Sequence, residues 1–138
     1  MEWVLDCSLA LAWALPDESS SKAERFLAAL PSDGALWVPA LWWYELANGL
    51  TIARRRSRLS EADSLRLTDL FGALPLHTDT DLHPNSIWRL QTLASRFGLS
   101  AYDAAYLDLA QRRGIGFATL DHALLTAARK AGVDVSRL

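Results

Sequence analysis

The chain has 138 residues, of which 51% are hydrophobic and 22% are charged, and its formal net charge is −2 at pH 7. These values are typical of a globular domain that buries a core, and they exclude a disordered chain. Because no overall basic field attracts a polyanion, such a ligand would have to be held by a local basic patch or by a metal ion. We predict a single domain over residues 1–138.

The sequence carries no pattern typical of export or membrane insertion. Cys7 is the only cysteine, so an internal disulfide is excluded. The longest apolar stretch, residues 35–44, contains Pro39 and is too short to span a bilayer. Glu2 and Asp6 occupy the region in which a signal peptide carries basic residues. We therefore expect a cytoplasmic protein that does not enter the membrane.

Short apolar runs alternate with helical patterns along the chain. In chain order, the predicted elements are a strand at 2–5, helices at 8–15 and 19–30, a strand at 35–38, helices at 39–56 and 60–71, a strand at 74–78, helices at 84–97 and 100–114, a strand at 115–119, and a helix from 121 or 122 to 132. This alternation predicts an α/β fold with a mostly parallel sheet.

Three of the helices carry specific expectations. Pro39 is predicted to open the third helix, since proline is favoured in a first turn. Ser60 and Asp63 have the spacing of a capping box. The buried face of helix 84–97 is predicted to consist of Ile87, Leu90, Ala94 and Phe97.

Four carboxylates stand among apolar residues near the ends of predicted elements or within an aromatic stretch. They are Asp6, Glu45, Asp103 and Asp121. A buried charge costs several kcal/mol unless it is paired or bound to a metal, and the chain has few lysines to pair with these groups. In open parallel sheets, ligands bind beyond the carboxyl ends of the strands, where the acids are expected to meet. The pattern suggests a shared cation site.

Each acid except one also has a structural interpretation. Asp6 and Asp121 stand where the N-cap of a helix is expected. Asp103 follows Ser100 at the spacing of a capping box, so it either caps a helix or serves the site. Glu45 falls in the middle of a predicted helix and has no capping role. The joint pattern therefore carries more weight than any single acid.

Carboxylate oxygens select hard cations such as Mg²⁺ or Mn²⁺. The three histidines lack metal-ligand spacing, and one cysteine cannot build a zinc site. Magnesium held by carboxylates typically polarises phosphoryl oxygens and activates water for phosphodiester cleavage. Ser8 and Thr119 lie two residues from Asp6 and Asp121, and their hydroxyls would hold a carboxylate oxygen or a metal-bound water, or else cap helices.

Four segments, found in this order, resemble PIN-domain nucleases, and most closely the VapC toxins of bacterial and archaeal toxin–antitoxin pairs. They are Leu5-Asp6-Cys7-Ser8, Tyr44-Glu45-Leu46-Ala47-Asn48, the run from Ser100 to Leu107, and Thr119-Leu120-Asp121. The resemblance implies a three-layer α/β/α sandwich, Mg²⁺- or Mn²⁺-dependent endoribonuclease activity on RNA, homodimerisation, and inhibition by a cognate antitoxin.

By the same resemblance, four acids are the catalytic and metal-binding residues and two hydroxyls support them. The acids are Asp6, Glu45, Asp103 and Asp121, and the supporting residues are Ser8 and Thr119. The segment Tyr102-Asp103-Ala104-Ala105-Tyr106-Leu107 is the most specific part of the likeness. All of the acidic positions are present, which argues for an active enzyme.

A basic run and an aromatic run have no place in this acidic set. Arg54, Arg55 and Arg56 close a predicted helix, where they complement the helix dipole or else contact an RNA backbone. The aromatic segment 37–44 is expected to fill the core and an interface, with Trp42 and Trp43 as candidates for a dimer or antitoxin surface.

Three further acids are expected to be solvated. Asp79 and Asp81 fall in a predicted polar loop. Asp108 lies five residues beyond Asp103, off the helical face of that residue, and is predicted to lie on the surface.

Other classes of protein also gather acids at strand ends. A receiver domain requires adjacent acids after the first strand and a lysine near the last one, and the only lysines are Lys22 and Lys130. A haloacid-dehalogenase-type phosphatase requires Asp-x-Asp, where this chain has Asp6-Cys7-Ser8. The remaining alternative is a non-catalytic interaction module with the PIN fold. We predict a metal-dependent endoribonuclease that acts as a toxin.

Overall fold

A computed structural model describes residues 1–18 and 20–136. The elements in this part of the chain are β1 (Glu2–Leu5), α1 (Cys7–Ala14), α2 (Ser21–Ala28), β2 (Ala35–Pro39), α3 (Leu41–Arg55), α4 (Glu61–Gly72), β3 (Leu76–Asp79), α5 (Pro84–Phe97), α6 (Ala101–Arg113), β4 (Gly116–Ala118) and α7 (His122–Lys130). Ser19, the predicted start of the second helix, lies outside the described residues. None of the described helices is long and apolar enough to cross a membrane.

The four strands form one parallel sheet in the order β3-β2-β1-β4. Val4, in the middle of β1, is in register with Trp37 on one side and Phe117 on the other. Helix α6 packs on β1, β2 and β4, and α5 covers α6, while α1 packs against α2 and α3. The predicted three-layer α/β/α sandwich is confirmed.

The strand order creates a crevice between β1 and β4. The chain moves from β1 to β2 and β3 in one direction, and β4 then joins the opposite side of β1. Ligands of open parallel sheets bind at such a switch in strand order, outside the carboxyl ends of the strands. The backbone N–H of Asp6 donates to the carbonyl of Ala118 at 2.9 Å, which holds the two strand ends together at this point.

Trp42 belongs to the core. It is fully buried, and it contacts Phe71 and Trp43 edge to face, at ring-centroid distances of 5.9 and 4.9 Å. The prediction that Trp42 serves a dimer or antitoxin surface is therefore wrong. Trp43 is 42% exposed, and its indole N–H donates to the Thr78 hydroxyl at 2.8 Å, which ties α3 to β3.

Pro39 ends a strand and does not open a helix. It is the last residue of β2, in register with Asp79, and α3 begins at Leu41. Proline is tolerated at this position because the strand stops there. The other boundaries follow local chemistry: Ser60 and Asp63 form both hydrogen bonds of the predicted capping box, and Gly114 ends α6 with φ of 64°.

Ile87 is 63% exposed, which contradicts its predicted place on the buried face of α5. Leu90, Ala94 and Phe97 are partly buried, as expected, but Ser86 is the buried residue of the first turn. Successive helical residues lie about 100° apart, so burial of Ser86 turns Ile87 away from α6.

Asp108 is buried and paired, so the prediction of a surface position is wrong. Its carboxylate accepts from Arg89 Nε at 3.0 Å and from Arg112 Nε at 2.8 Å. Arg112 also donates to Asp79 at the end of β3, so Asp79 is not the solvated loop residue that was expected. Asp81 is exposed, as predicted. This cluster links β3, α5 and α6.

Candidate active site

The four predicted acids line one cleft at the carboxyl edge of the sheet. The cleft has a volume of about 370 Å³, and its polar walls comprise Asp6, Ser8, Glu45, Asn48, Asp103 and Asp121. Asp6 follows β1, Glu45 lies on α3, Asp103 is in the first turn of α6, and Asp121 precedes α7. Four elements that are distant in sequence therefore deliver one carboxylate each to the same space.

The side chain of Asp6 is held by hydroxyls. Its Oδ2 atom accepts hydrogen bonds from Ser8 Oγ and from Thr119 Oγ1, each at 2.6 Å. Asp6 occupies the N-cap position of α1, but its carboxylate makes no capping hydrogen bond. The capping interpretation of Asp6 is therefore excluded, and the carboxylate is fixed through its Oδ2 atom.

Ser8 and Thr119 also connect the two strand ends through backbone groups. The N–H of Asp121 donates to Thr119 Oγ1 at 2.9 Å, and the N–H of Leu120 donates to Ser8 Oγ at 3.2 Å. Of the predicted roles, the hydrogen bond to a carboxylate oxygen is the one that the geometry supports. These hydroxyls fix where the carboxylate of Asp6 points.

The carboxylate of Asp121 caps a helix, whereas the carboxylate of Asp103 does not. Asp121 Oδ1 accepts from the N–H of Leu124 at 2.9 Å, so this residue does cap α7 while it lines the cleft. At α6 the Ser100 hydroxyl is the cap, accepting from the N–H of Asp103 at 3.1 Å. The reciprocal hydrogen bond, from the backbone N–H of Ser100 to the Asp103 carboxylate, is not formed. Asp103 thus starts the helix without completing a capping box.

Tyr106 holds Glu45 and was not predicted as a site residue. Its phenolic O–H donates to Glu45 Oε1 at 2.6 Å, and its ring is fully buried against Phe117. Tyr106 lies three residues after Asp103, so both face the same side of α6. That spacing, together with the place of Tyr106 in the segment 102–107, is the sequence signal that indicates it. The tyrosine orients Glu45 and leaves Oε2 for the cleft.

Burial and the charges of neighbouring acids raise the pKa of three of the four carboxylates. Burial raises the pKa of Asp6 above the ordinary aspartate value, and the charges of Asp121 and Asp103 add to the rise against the hydrogen bonds that lower it. Burial also raises the pKa of Glu45, despite its bond from the tyrosine, and burial followed by the charge of Asp121 raises the pKa of Asp103. No basic side chain is among the described residues that line the cleft. The site therefore concentrates negative charge that nothing in its walls neutralises.

Cys7, Asn48 and Gly49 also line the cleft and were not predicted to do so. Burial, with the charges of nearby acids, raises the pKa of the Cys7 thiol to about 12, so this group is neutral and unreactive at physiological pH. Asn48 lies three residues after Glu45 on α3, the spacing that places both on one face. A Cβ atom at Gly49 would meet the Leu11 side chain at 2.9 Å, so glycine permits α1 and α3 to approach here.

The donor set of the cleft fits a hard divalent cation. Its walls offer carboxylate, amide and hydroxyl oxygens, which suit Mg²⁺ or Mn²⁺. Within residues 1–18 and 20–136, no three Asp, Glu, His or Cys side chains lie close enough together to hold a metal ion as a group. Magnesium does not require such a cage, because it keeps several waters and binds through one or two carboxylates and substrate phosphates.

Arg54, Arg55 and Arg56 lie away from this cleft. They are exposed at the C-terminal end of α3, while Glu45 is near its N-terminal end. Arg54 is nine residues beyond Glu45, which corresponds to about 14 Å along the helix axis. The structure does not bring these arginines to the acids.

Comparison with known proteins places the chain in a family. The PIN domain family matches residues 3–130. Ribonuclease VapC3 of Pyrobaculum aerophilum is 33% identical over 128 residues, which is 90% of this chain and 92% of that protein.

Two solved structures share the fold at lower identity. VapBC2 from Rickettsia felis, bound to a DNA fragment from its promoter, has a TM-score of 0.68 at 12% identity, covering 100% of this chain and 99% of the other. A toxin–antitoxin complex from Klebsiella pneumoniae has a TM-score of 0.59 at 17% identity, covering 86% and 85%. Sequence relatives, family match and fold agree, and the chain is a VapC-like member of the PIN domain family.

Proposed function

We propose that this chain is a metal-dependent endoribonuclease and the toxin of a toxin–antitoxin pair. The observation that carries the proposal is the convergence of Asp6, Glu45, Asp103 and Asp121 on one cleft at the carboxyl edge of a parallel sheet. Its sequence relatives include a protein named as a ribonuclease. Oxygen ligands without lysine, histidine or a reactive thiol favour metal-assisted hydrolysis over a covalent mechanism.

Asp6 and Asp103 would hold the cation, and Glu45 and Asp121 line the same cleft beside it. A bound Mg²⁺ or Mn²⁺ supplies Lewis-acid polarisation of a phosphoryl oxygen and lowers the pKa of a bound water. Ser8 and Thr119 hold Asp6 by its Oδ2 atom, which fixes the orientation of the carboxylate at the cleft. This pre-organisation removes the need to order the carboxylate during the reaction.

Glu45 is positioned to act as a general base. Its Oε1 atom accepts from Tyr106, and its raised pKa brings the carboxylate closer to the range in which a general base works. We assign to Glu45 Oε2 the acceptance of the proton from the attacking water. The Tyr106 pKa is itself raised by burial, so the phenol stays protonated as a donor.

An RNA cleavage assay separates this proposal from a non-catalytic PIN-fold module. The purified chain is incubated with total RNA in Mg²⁺, in Mn²⁺ and in EDTA, and metal binding is titrated by calorimetry. We expect cleavage with either metal and none with EDTA. A chain that binds no divalent metal and leaves RNA intact under all three conditions is the non-catalytic module.

We propose a cognate antitoxin that acts through the same cleft. The related fold from Klebsiella pneumoniae is part of a toxin–antitoxin complex. An uncompensated cluster of carboxylates is a natural receptor for an arginine or lysine of an inhibitor, which would relieve the repulsion that Mg²⁺ otherwise relieves. Trp43 and Tyr44, exposed beside Glu45 on α3, offer apolar anchoring.

Inhibitor and metal should therefore compete. At a Mg²⁺ concentration ten times its own Kd, competition at one site raises the apparent Kd of the antitoxin by about elevenfold. Calorimetry with and without Mg²⁺, using the protein encoded beside this chain, measures that ratio. An affinity that is unchanged by Mg²⁺ would contradict the competition mechanism but not the existence of an antitoxin.

We also propose a homodimer. Several large hydrophobic side chains are exposed, among them Tyr44 at 79%, Trp88 at 73% and Ile87 at 63% exposure. Interfaces are enriched in such aromatic residues, and symmetric dimers are the commonest assembly of soluble proteins. Analytical ultracentrifugation at micromolar concentration is expected to show a dimer. A monomer throughout that range would remove this part of the proposal.

A further inference from the structure

An RNA substrate meets an electrostatic obstacle at the cleft. The carboxylates that line it repel phosphate, and no basic side chain is among its described walls. The whole chain carries a net charge of −2, so long-range attraction is absent. A bound cation neutralises only the scissile position. The neighbouring phosphates need basic groups close to the cleft.

A second, larger cavity adjoins the cleft. It has a volume of about 760 Å³, and Lys22 on α2 and His122 and Arg129 on α7 line it together with Thr119. Thr119 is the residue whose hydroxyl holds Asp6 in the cleft, and His122 directly follows Asp121. The cavity, which we name the Lys22–Arg129 groove, thus lies next to the acidic site, on the other side of Thr119 and the start of α7.

The cations of the groove are available to a ligand. Lys22 and Arg129 are exposed, and neither forms a salt bridge with any residue in 1–18 or 20–136. By contrast, Arg58 and Arg112 are each paired with carboxylates of their neighbours. Asp134 is the one acid that lines the described groove, so its walls carry net positive charge.

We propose that the Lys22–Arg129 groove binds the phosphate backbone of single-stranded RNA and guides it to the cleft. The inference rests on the proposed ribonuclease function and names the substrate path that this function needs. It replaces Arg54–Arg56 as the basic surface, because those residues lie at the far end of α3, while Thr119 of the groove is hydrogen-bonded to Asp6 of the cleft. Recognition here is by phosphate charge, so it positions the strand and does not read its sequence.

The test measures RNA binding by the full chain. A fluorescein-labelled single-stranded oligoribonucleotide is titrated in EDTA by fluorescence anisotropy, over a range of salt concentrations, with RNA integrity checked on a gel. The double variant Lys22→Ala/Arg129→Ala should raise Kd by about tenfold or more, since two charged contacts are lost. The slope of log K against log salt should flatten by about 0.7 for each lost phosphate contact, or about 1.4 in total.

A matched control lies next to the groove. Lys130 follows Arg129 on α7, carries the same charge and is exposed, but it does not line the groove. Lys130→Ala should bind RNA within about twofold of wild type, and Lys22→Arg/Arg129→Lys should retain binding because it keeps both charges. Thermal unfolding confirms that all variants are folded.

The outcomes separate the groove from the function on which it rests. If the double alanine variant cleaves RNA like the wild type and has an unchanged Kd and salt slope, the proposed role of the groove is wrong and the ribonuclease function stands. An equal loss in Lys130→Ala also overturns it, because binding then follows net charge only. A wild-type chain that neither binds nor cleaves RNA overturns the proposed function and the groove together.

Discussion

Asp6→Asn and Asp103→Asn are each expected to lower RNA cleavage in Mg²⁺ by more than about 100-fold. Residues that only support a metal ligand cost 10–100-fold when they are changed, and these acids are proposed as ligands themselves. Asparagine keeps the shape of aspartate and still accepts hydrogen bonds from Ser8 and Thr119 at position 6. Initial cleavage rates of the purified variants provide the measurement, with Asp33→Asn, in the exposed turn before β2, as the control.

The same Asp6 substitution should stabilise the fold in metal-free buffer. Burial raises the folded-state pKa of Asp6 above its unfolded value, so the folded protein binds the proton more tightly. Stability is therefore greatest below the unfolded pKa and falls as pH rises through the folded pKa. At neutral pH, Asp6→Asn should raise Tm by roughly 3 °C, the shift that about 1 kcal/mol produces at this size.

This gain should disappear below about pH 4, where Asp6 is protonated in both the folded and the unfolded state. Scanning calorimetry across pH in EDTA follows the difference. An inactive variant with a much lower Tm would show that Asp6 acts mainly in folding. Wild-type cleavage by the Asn variants in Mg²⁺ would contradict their assignment to the site.

Asp108→Ala should destabilise the fold by about 3 kcal/mol, because it removes the buried carboxylate that pairs with two arginines and leaves Arg89 without that partner. Arg89 and Arg112 both donate to this carboxylate, and it is shielded from water. The expected fall in Tm is roughly 10 °C. Asp108 does not line the cleft, so cleavage at low temperature should persist.

Glu18→Ala provides the contrast for this ion cluster. Glu18 also pairs with an arginine, Arg58, but the pair is exposed to solvent, where water screens it. The Tm of Glu18→Ala, measured by thermal denaturation, should stay close to the wild-type value. If Asp108→Ala unfolds within about 2 °C of wild type, the cluster that joins β3, α5 and α6 is not the stabilising feature that its burial implies.

The fold was predictable because its signals are local. Continuous apolar runs mark β1 and β2, since strands buried on both faces have no alternation, and Ser60 and Gly114 mark helix ends through hydrogen bonds made within one turn. Pro39 shows the limit of such signals. A proline suits both the end of a strand and the first turn of a helix, and only the register with β3 decides between them.

The acidic cleft was predictable for the same reason, as each acid stands beside an element end that the topology brings to one edge. The contacts that hold the acids were not. Tyr106 and Glu45 are 61 positions apart, and Thr119 and Asp6 are 113 apart, so no local rule pairs them. The helical offset between Asp108 and Asp103 indicates only that the two face different ways, whereas the burial of Asp108 depends on its partners Arg89 and Arg112.

Sequencing of RNA 5′ ends in cells measures whether the acidic cleft cleaves RNA. Ends are mapped after brief induction of the wild-type chain and, in parallel, of Asp6→Asn at matched protein levels. We expect new ends at defined positions with the wild-type chain and none with Asp6→Asn. Identical new ends with both chains, or none with either, would contradict it.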